Sequence, residues 1–232
     1  MKTAFQLSNA RYGARRTLRN ITLATASLTL LALAPVAASA ETTIVALGDS
    51  LTAGYGLPEG EGLVPQLQAW LDAQGTDVTL VNAGVSGDTT AGGLSRLDWS
   101  LTPETDALIV TLGGNDLLRG LPPAETRDNL DAIVKSATER GLPVLLVPME
   151  APPNMGPDYK LQFDGIYREI AARYDAQITQ PFFRMMSPQA DDLDALRPWM
   201  QPDGIHPNKE GVSRVVANLG PAILSLADTL PE

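Results

Sequence analysis

Short apolar runs alternate along this chain with longer segments in which apolar residues recur every three or four positions. The runs Thr43–Leu47, Val78–Asn82, Ala107–Leu112 and Val144–Pro148 are dominated by Val, Ile and Leu, and a weaker one spans Gln177–Pro181. Short runs of this composition read as buried strands. Between them lie helical patterns near Leu63–Gln74, Thr89–Leu97, Ala124–Arg140 and Leu161–Tyr174, and a last one runs from Asn208 to about Ala227. The segment 125–140 shows the logic: Leu130, Ile133, Val134 and Ala137 share one helical face, charges occupy the other, and Gly141-Leu142-Pro143 stops it. Repeated strand–helix alternation predicts an α/β fold with about five parallel strands and helices on both faces, because parallel neighbours require crossovers. The loops that follow the strands should then gather at the carboxyl edge of the sheet, where such folds bind ligands.

The first forty residues stand apart from this alternation. Lys2, Arg11, Arg15, Arg16 and Arg19 come with no acidic residue, an apolar run extends from about Ile21 to Ala37, and Ala38-Ser39-Ala40 follows. Basic, apolar and small-residue segments in that order predict a secretory signal peptide over 1–40, cut after Ala40, ahead of a single domain over 41–232. A membrane anchor fits less well. The run is short against the ~20 residues of a span, and Pro35 falls late in it. Arg15-Arg16 brings twin-arginine export into view, but Thr17-Leu18-Arg19 match that pattern poorly, which favours the general secretory route.

Charge and cysteine content narrow the function classes. The chain has 17 Lys and Arg against 27 Asp and Glu; without the five basic residues of the leader, 12 remain against 27, a net −15. An acidic surface argues against nucleic acid and against attachment to anionic lipid. The absence of cysteine removes disulfides, thiolate catalysis and cysteine-ligated metal together.

Four segments near strand ends combine glycine with polar or reactive groups. Gly48-Asp49-Ser50 ends the first strand abruptly and leaves a serine at its tip; the plain alternative is a tight turn whose serine or aspartate caps a helix. A phosphate-binding turn is disfavoured, since no G-x-G-x-x-G or G-K-[ST] follows a strand. In Asn82-Ala83-Gly84-Val85-Ser86-Gly87-Asp88-Thr89, glycine N–H groups could serve an oxyanion, or the segment is simply a loop. Leu112-Gly113-Gly114-Asn115-Asp116 is an ordinary turn by composition, or it aims the Asn115 amide at developing negative charge, a role that contributes roughly 3–4 kcal/mol in hydrolases. In Asp203-Gly204-Ile205-His206-Pro207-Asn208, the only histidine of the chain follows an aspartate by three residues. An aspartate that orients a histidine is what a serine nucleophile needs.

Taken together the four segments resemble the blocks of the GDSL, or SGNH, hydrolase family, and the resemblance spans essentially the whole of 41–232. It is greatest to the exported bacterial acyl-thioesterase, lysophospholipase and arylesterase group, through Leu47–Tyr55, Ser86–Thr89, Leu112–Asp116, Pro152-Pro153-Asn154 and Trp199–Asn208. The resemblance implies a flavodoxin-like three-layer α/β/α sandwich and a catalytic set of Ser50 as nucleophile, His206 as general base and acid, and Asp203 as its partner. It implies an oxyanion hole of the Ser50 N–H, the Gly87 N–H and the Asn115 side chain, with Gly84 as a competitor for Gly87, and no metal or cofactor. Leu117–Leu121 and Met149–Tyr159 would flank an acyl groove. The expected substrate is a small acyl ester or thioester. Two rivals remain: a carbohydrate deacetylase of the same family, and a non-catalytic module that binds in the same crevice.

Overall fold

The computed structural model describes residues 42–190 and 192–230, so the expected leader and its cleavage point lie outside the described residues. Five parallel strands form one sheet: β1 (Thr42–Gly48), β2 (Val78–Gly84), β3 (Ala107–Thr111), β4 (Val144–Leu146) and β5 (Gln177–Ile178), in the order β2-β1-β3-β4-β5. β1 lies between β2 and β3, with Gly48 level with Gly84 on one side and Thr111 on the other. From β1 the chain steps outward to β2 and then crosses back to the opposite side for β3. That reversal opens a crevice between the carboxyl ends of β1 and β3.

Helices cover both faces. They are α1 (Ser50–Ala53), α2 (Leu63–Ala73), α3 (Thr90–Ser95), α4 (Leu97–Ser100), α5 (Gly114–Leu118), α6 (Pro123–Glu139), α7 (Pro157–Tyr174), α8 (Phe182–Met186), α9 (Leu193–Leu196) and α10 (Lys209–Ala227). On one side α2, α8 and α10 pack together; on the other, α3, α6 and α7 do. The architecture is the expected α/β three-layer sandwich. Ile44, Leu47, Leu108 and Val110 are fully buried in the central strands, and Leu130, Ile133, Val134 and Ala137 of α6 point into the core as their spacing predicts. Truncating one such leucine to alanine costs about 2–5 kcal/mol. Among the described residues no helix is long and apolar enough to cross a membrane.

The differences from the expected elements are local and have physical causes. The helix expected over Thr89–Leu97 is two, α3 and α4, which meet at Arg96 (φ −111°, ψ 7°). The strand expected to reach Pro181 ends at Ile178, although Thr179 N–H still donates to Leu146 O at 3.0 Å. Proline has no N–H with which to extend a ladder. The helix expected from Leu161 begins four residues earlier, at Pro157, where a proline's missing N–H costs nothing. The single-turn helices α1, α5, α8 and α9 carry too few residues to show a period.

Candidate active site

The end of β1 is shaped by two glycines side by side. A Cβ on Gly48 would lie 2.0 Å from Thr52 Oγ1, and one on Gly84 would lie 2.3 Å from the Ala53 backbone nitrogen. Their bareness lets α1 rest directly on the sheet edge. Asp49 is the N-cap of α1: its Oδ1 accepts the Leu51 N–H at 3.0 Å, and Ser50 follows as the first helical residue. Arg96 braces the turn from below. Its guanidinium donates to Gly48 O and Ala83 O, both at 2.8 Å, and pairs with Asp88 at 2.6 Å, tying the tips of β1 and β2 to the loop after β2.

Opposite Ser50 stands the loop before α10. Asp203 Oδ1 accepts the N–H groups of Ile205 (2.9 Å) and His206 (3.0 Å), which folds the segment so that its other oxygen meets the ring. His206 Nδ1 lies 2.6 Å from Asp203 Oδ2, and His206 Nε2 lies 2.8 Å from Ser50 Oγ. Burial pushes the Asp203 carboxyl up, but the His206 ring, then the Ile205 and His206 N–H groups and the charge on His206, outweigh it and hold Asp203 down at about 2. An ionised carboxylate only accepts, so Nδ1 must carry the ring proton. In the neutral ring Nε2 then has a lone pair facing the serine hydroxyl.

Further contacts fix this loop. Gln201 N–H donates to His206 O at 2.7 Å, Gln201 Nε2 donates to Tyr55 O (2.8 Å) and Pro207 O (3.0 Å), and Asn208 caps α10 through Gly211 N–H. The Tyr55 ring lies against the imidazole, centroids 4.6 Å apart. Ser50 and His206 border a shallow depression that opens to solvent and is lined also by Tyr55, Leu57 and Val212.

Asn115 comes to the same crevice from β3. Gly113 (φ +113°) makes the turn into α5, and its lack of a side chain leaves room for the Tyr167 hydroxyl, which donates to Leu112 O at 2.8 Å. Asp116 is fully buried and accepts from Thr90 N (2.9 Å), Thr90 Oγ1 (2.5 Å) and Thr126 Oγ1 (3.2 Å), which pins α5 to α3 and α6. Asn115 Nδ2 then donates to Asp49 Oδ2 at 3.2 Å. Gly87 (φ +88°) is exposed on the neighbouring loop, and its carbonyl accepts from Arg119 Nη2 at 2.7 Å, four residues beyond Asn115. Among the described residues, neither the Ser50 N–H nor the Gly87 N–H donates to a partner. Gly84 belongs to β2, and its N–H donates to its own neighbour Asn82 Oδ1 at 2.9 Å.

The expected groove walls divide. Leu118 is exposed and Leu117 partly buried, but Met149 and Ala151 lie in the core and cannot form a groove wall. Sequence reasoning missed Asp49, Arg96, Tyr55 and Gln201 as site residues. Arg96 had a visible signal, a lone cation within an otherwise small and apolar helical pattern.

Comparison with known proteins places this geometry in context. A model of the GDSL-like lipase/acylhydrolase family matches residues 46–214. Esterase TesA of Pseudomonas aeruginosa is 39% identical over 189 residues, covering 81% of this chain and 90% of that protein. Thioesterase 1/protease 1/lysophospholipase L1 of Escherichia coli K12 is 35% identical over 174 residues, 75% of this chain and 79% of that one. Among solved structures, the psychrotrophic esterase EstA from Pseudoalteromonas sp., inhibited by monoethylphosphonate, superposes with a TM-score of 0.72 at 34% identity. That match covers 81% of this chain and all of that one.

Proposed function

We propose that this chain, which belongs to the GDSL-like lipase/acylhydrolase family and is a serine ester hydrolase, works as an exported esterase and thioesterase on single-chain acyl substrates. The observation that carries the reading is the hydrogen-bonded line from Ser50 Oγ through the His206 ring to Asp203, at 2.8 and 2.6 Å.

In this reading Ser50 Oγ attacks the acyl carbonyl carbon while His206 Nε2 takes its proton, and Asp203 stabilises the resulting imidazolium. The carbonyl oxygen becomes an oxyanion, which the Ser50 N–H, the Gly87 N–H and the Asn115 amide receive. Collapse of the tetrahedral adduct breaks the bond to the alcohol or thiol, which leaves with the proton from His206. Water, deprotonated by His206, then attacks the acyl-serine, and the carboxylic acid departs as Ser50 regains its proton. Among the described residues neither backbone N–H has a hydrogen-bond partner, which suits both to that role. Export is supported by the basic, apolar and small-residue order of residues 1–40. The acyl chain would lie against the exposed Leu118.

A series of p-nitrophenyl esters from acetyl to palmitoyl, run beside palmitoyl-CoA and lysophosphatidylcholine, tests the substrate class. Hydrolysis of medium or long acyl esters together with the thioester is expected. Activity confined to acetyl groups, above all on acetylated sugars, would replace this reading with a deacetylase.

A further inference from the structure

The reaction as described leaves the Asp49 carboxylate idle. It is only 2% exposed, and two donors reach it from different elements: the Leu51 N–H on Oδ1 at 3.0 Å and the Asn115 amide on Oδ2 at 3.2 Å. The first is a helix cap that serine or asparagine would supply equally well. The second is required by neither helix.

A side-chain amide has a donor end and an acceptor end of nearly equal size, and its partners decide which end faces which way. An ionised carboxylate holds the NH2 end of Asn115 towards itself. Turning that amide over would set two oxygens against each other in a buried site with no donor between them. The backbone of α5 comes close enough to keep the contact tight, since a Cβ on Gly114 would sit 3.2 Å from Asp49 Oδ2. Burial pushes the Asp49 carboxyl up to about 6, the Leu51 N–H, the Asn115 amide and the charge of His206 pull it down, and Asp116 adds to the rise. Above that pH the group is ionised.

We propose that Asp49 is the positioning residue of the oxyanion hole: its carboxylate holds the Asn115 amide with one N–H engaged, leaving the other for the substrate. This rests on the reading of Asn115 as an oxyanion donor. Because Asp49 touches no reacting atom, its removal should matter only through Asn115, and only as charge develops.

A double-mutant cycle tests this. Steady-state kinetics on a p-nitrophenyl ester at pH 8 compare wild type, Asp49→Asn, Asp49→Ser, Asn115→Ala and the combined Asp49→Asn/Asn115→Ala enzyme, each checked for folding by near-UV circular dichroism. Both Asp49 variants keep a cap for Leu51; asparagine sets a donor against the Asn115 donor, and serine is too short to reach it. Each should lose ~10- to 100-fold in kcat with KM within ~3-fold, and Asn115→Ala should lose ~10²- to 10³-fold. The combined enzyme should match Asn115→Ala within ~3-fold, because a lost donor leaves nothing to position. A folded Asp49 variant with normal kcat would overturn the proposal. So would losses that multiply in the combined enzyme while Asn115→Ala is impaired, and that outcome leaves the Asn115 reading standing. Normal kcat in Asn115→Ala would remove both.

Discussion

Asp49 and Asp203 flank the Ser50–His206 pair, and their surroundings move their proton affinities in opposite directions. Asp203 is held at about 2 because its bonds to the His206 ring and two N–H groups outweigh burial. Its contribution to stability is therefore fully present above the ordinary carboxylate value of 3.8 and disappears as pH falls through about 2. Asp49, raised by burial to about 6, has the opposite sign: between about 4 and 6 the folded protein holds a proton that the unfolded chain releases. Stability should fall as pH rises through that window. Urea unfolding of wild type and Asp49→Asn at pH 4 and pH 7 should show wild type losing up to about 3 kcal/mol relative to the variant; parallel curves would contradict the burial account. Asp203→Asn tests the other carboxylate. An amide at 203 can donate to Nδ1 and drive the proton to Nε2, so kcat should fall by ~10³-fold or more in a folded protein. A loss confined to KM would assign Asp203 to the loop alone. Asp203 could be found in the sequence because it precedes the only histidine, whereas the partner of Asp49 lies 66 residues away and leaves no local pattern.

At the scale of elements, the site depends on short pieces set on strand tips. α1 and α5 are four and five residues long, below the length at which periodicity appears, and tertiary contacts hold them. Longer elements such as α6 and α10 were legible because their apolar stripes repeat over several turns. α1 depends on the bare Cα of Gly84. A methyl group there would lie 2.3 Å from Ala53 N and 2.8 Å from Ala53 Cα, both backbone positions that cannot swing aside. Gly84→Ala should lower stability by ~1–3 kcal/mol and, by lifting Ser50 away from His206, cut kcat at least ~10-fold. Gly75→Ala is the control. It introduces strain at φ +74° in open space far along the chain from α1, so it should lower the melting temperature without changing kcat. Equal kcat losses in the two folded variants would show that stability, not the seat of α1, is responsible.

The candidate site lies at the crevice where strand order reverses, between β1 and β3; alternation and the position of Gly48-Asp49-Ser50 predict the carboxyl edge of the sheet, but the crevice itself depends on the strand order, which alternation does not set. The division of α3 from α4 and the brace from Arg96 do not follow from alternation either, because they depend on which carbonyls the folded sheet leaves at its edge. The acidic balance and the basic leader predict an exported protein beginning at Glu41, which N-terminal sequencing of the released protein checks; an intact leader in a membrane fraction would favour an anchor. The central claim is that Ser50 carries the acyl group, and covalent labelling reaches it most directly. After treatment with a fluorophosphonate, peptide mass mapping should find one adduct, on Ser50, and none on a folded Ser50→Ala protein, whose esterase activity should fall by ~10³-fold or more. An adduct on Ser86 or Ser95, or labelling and activity that survive Ser50→Ala, would contradict the account.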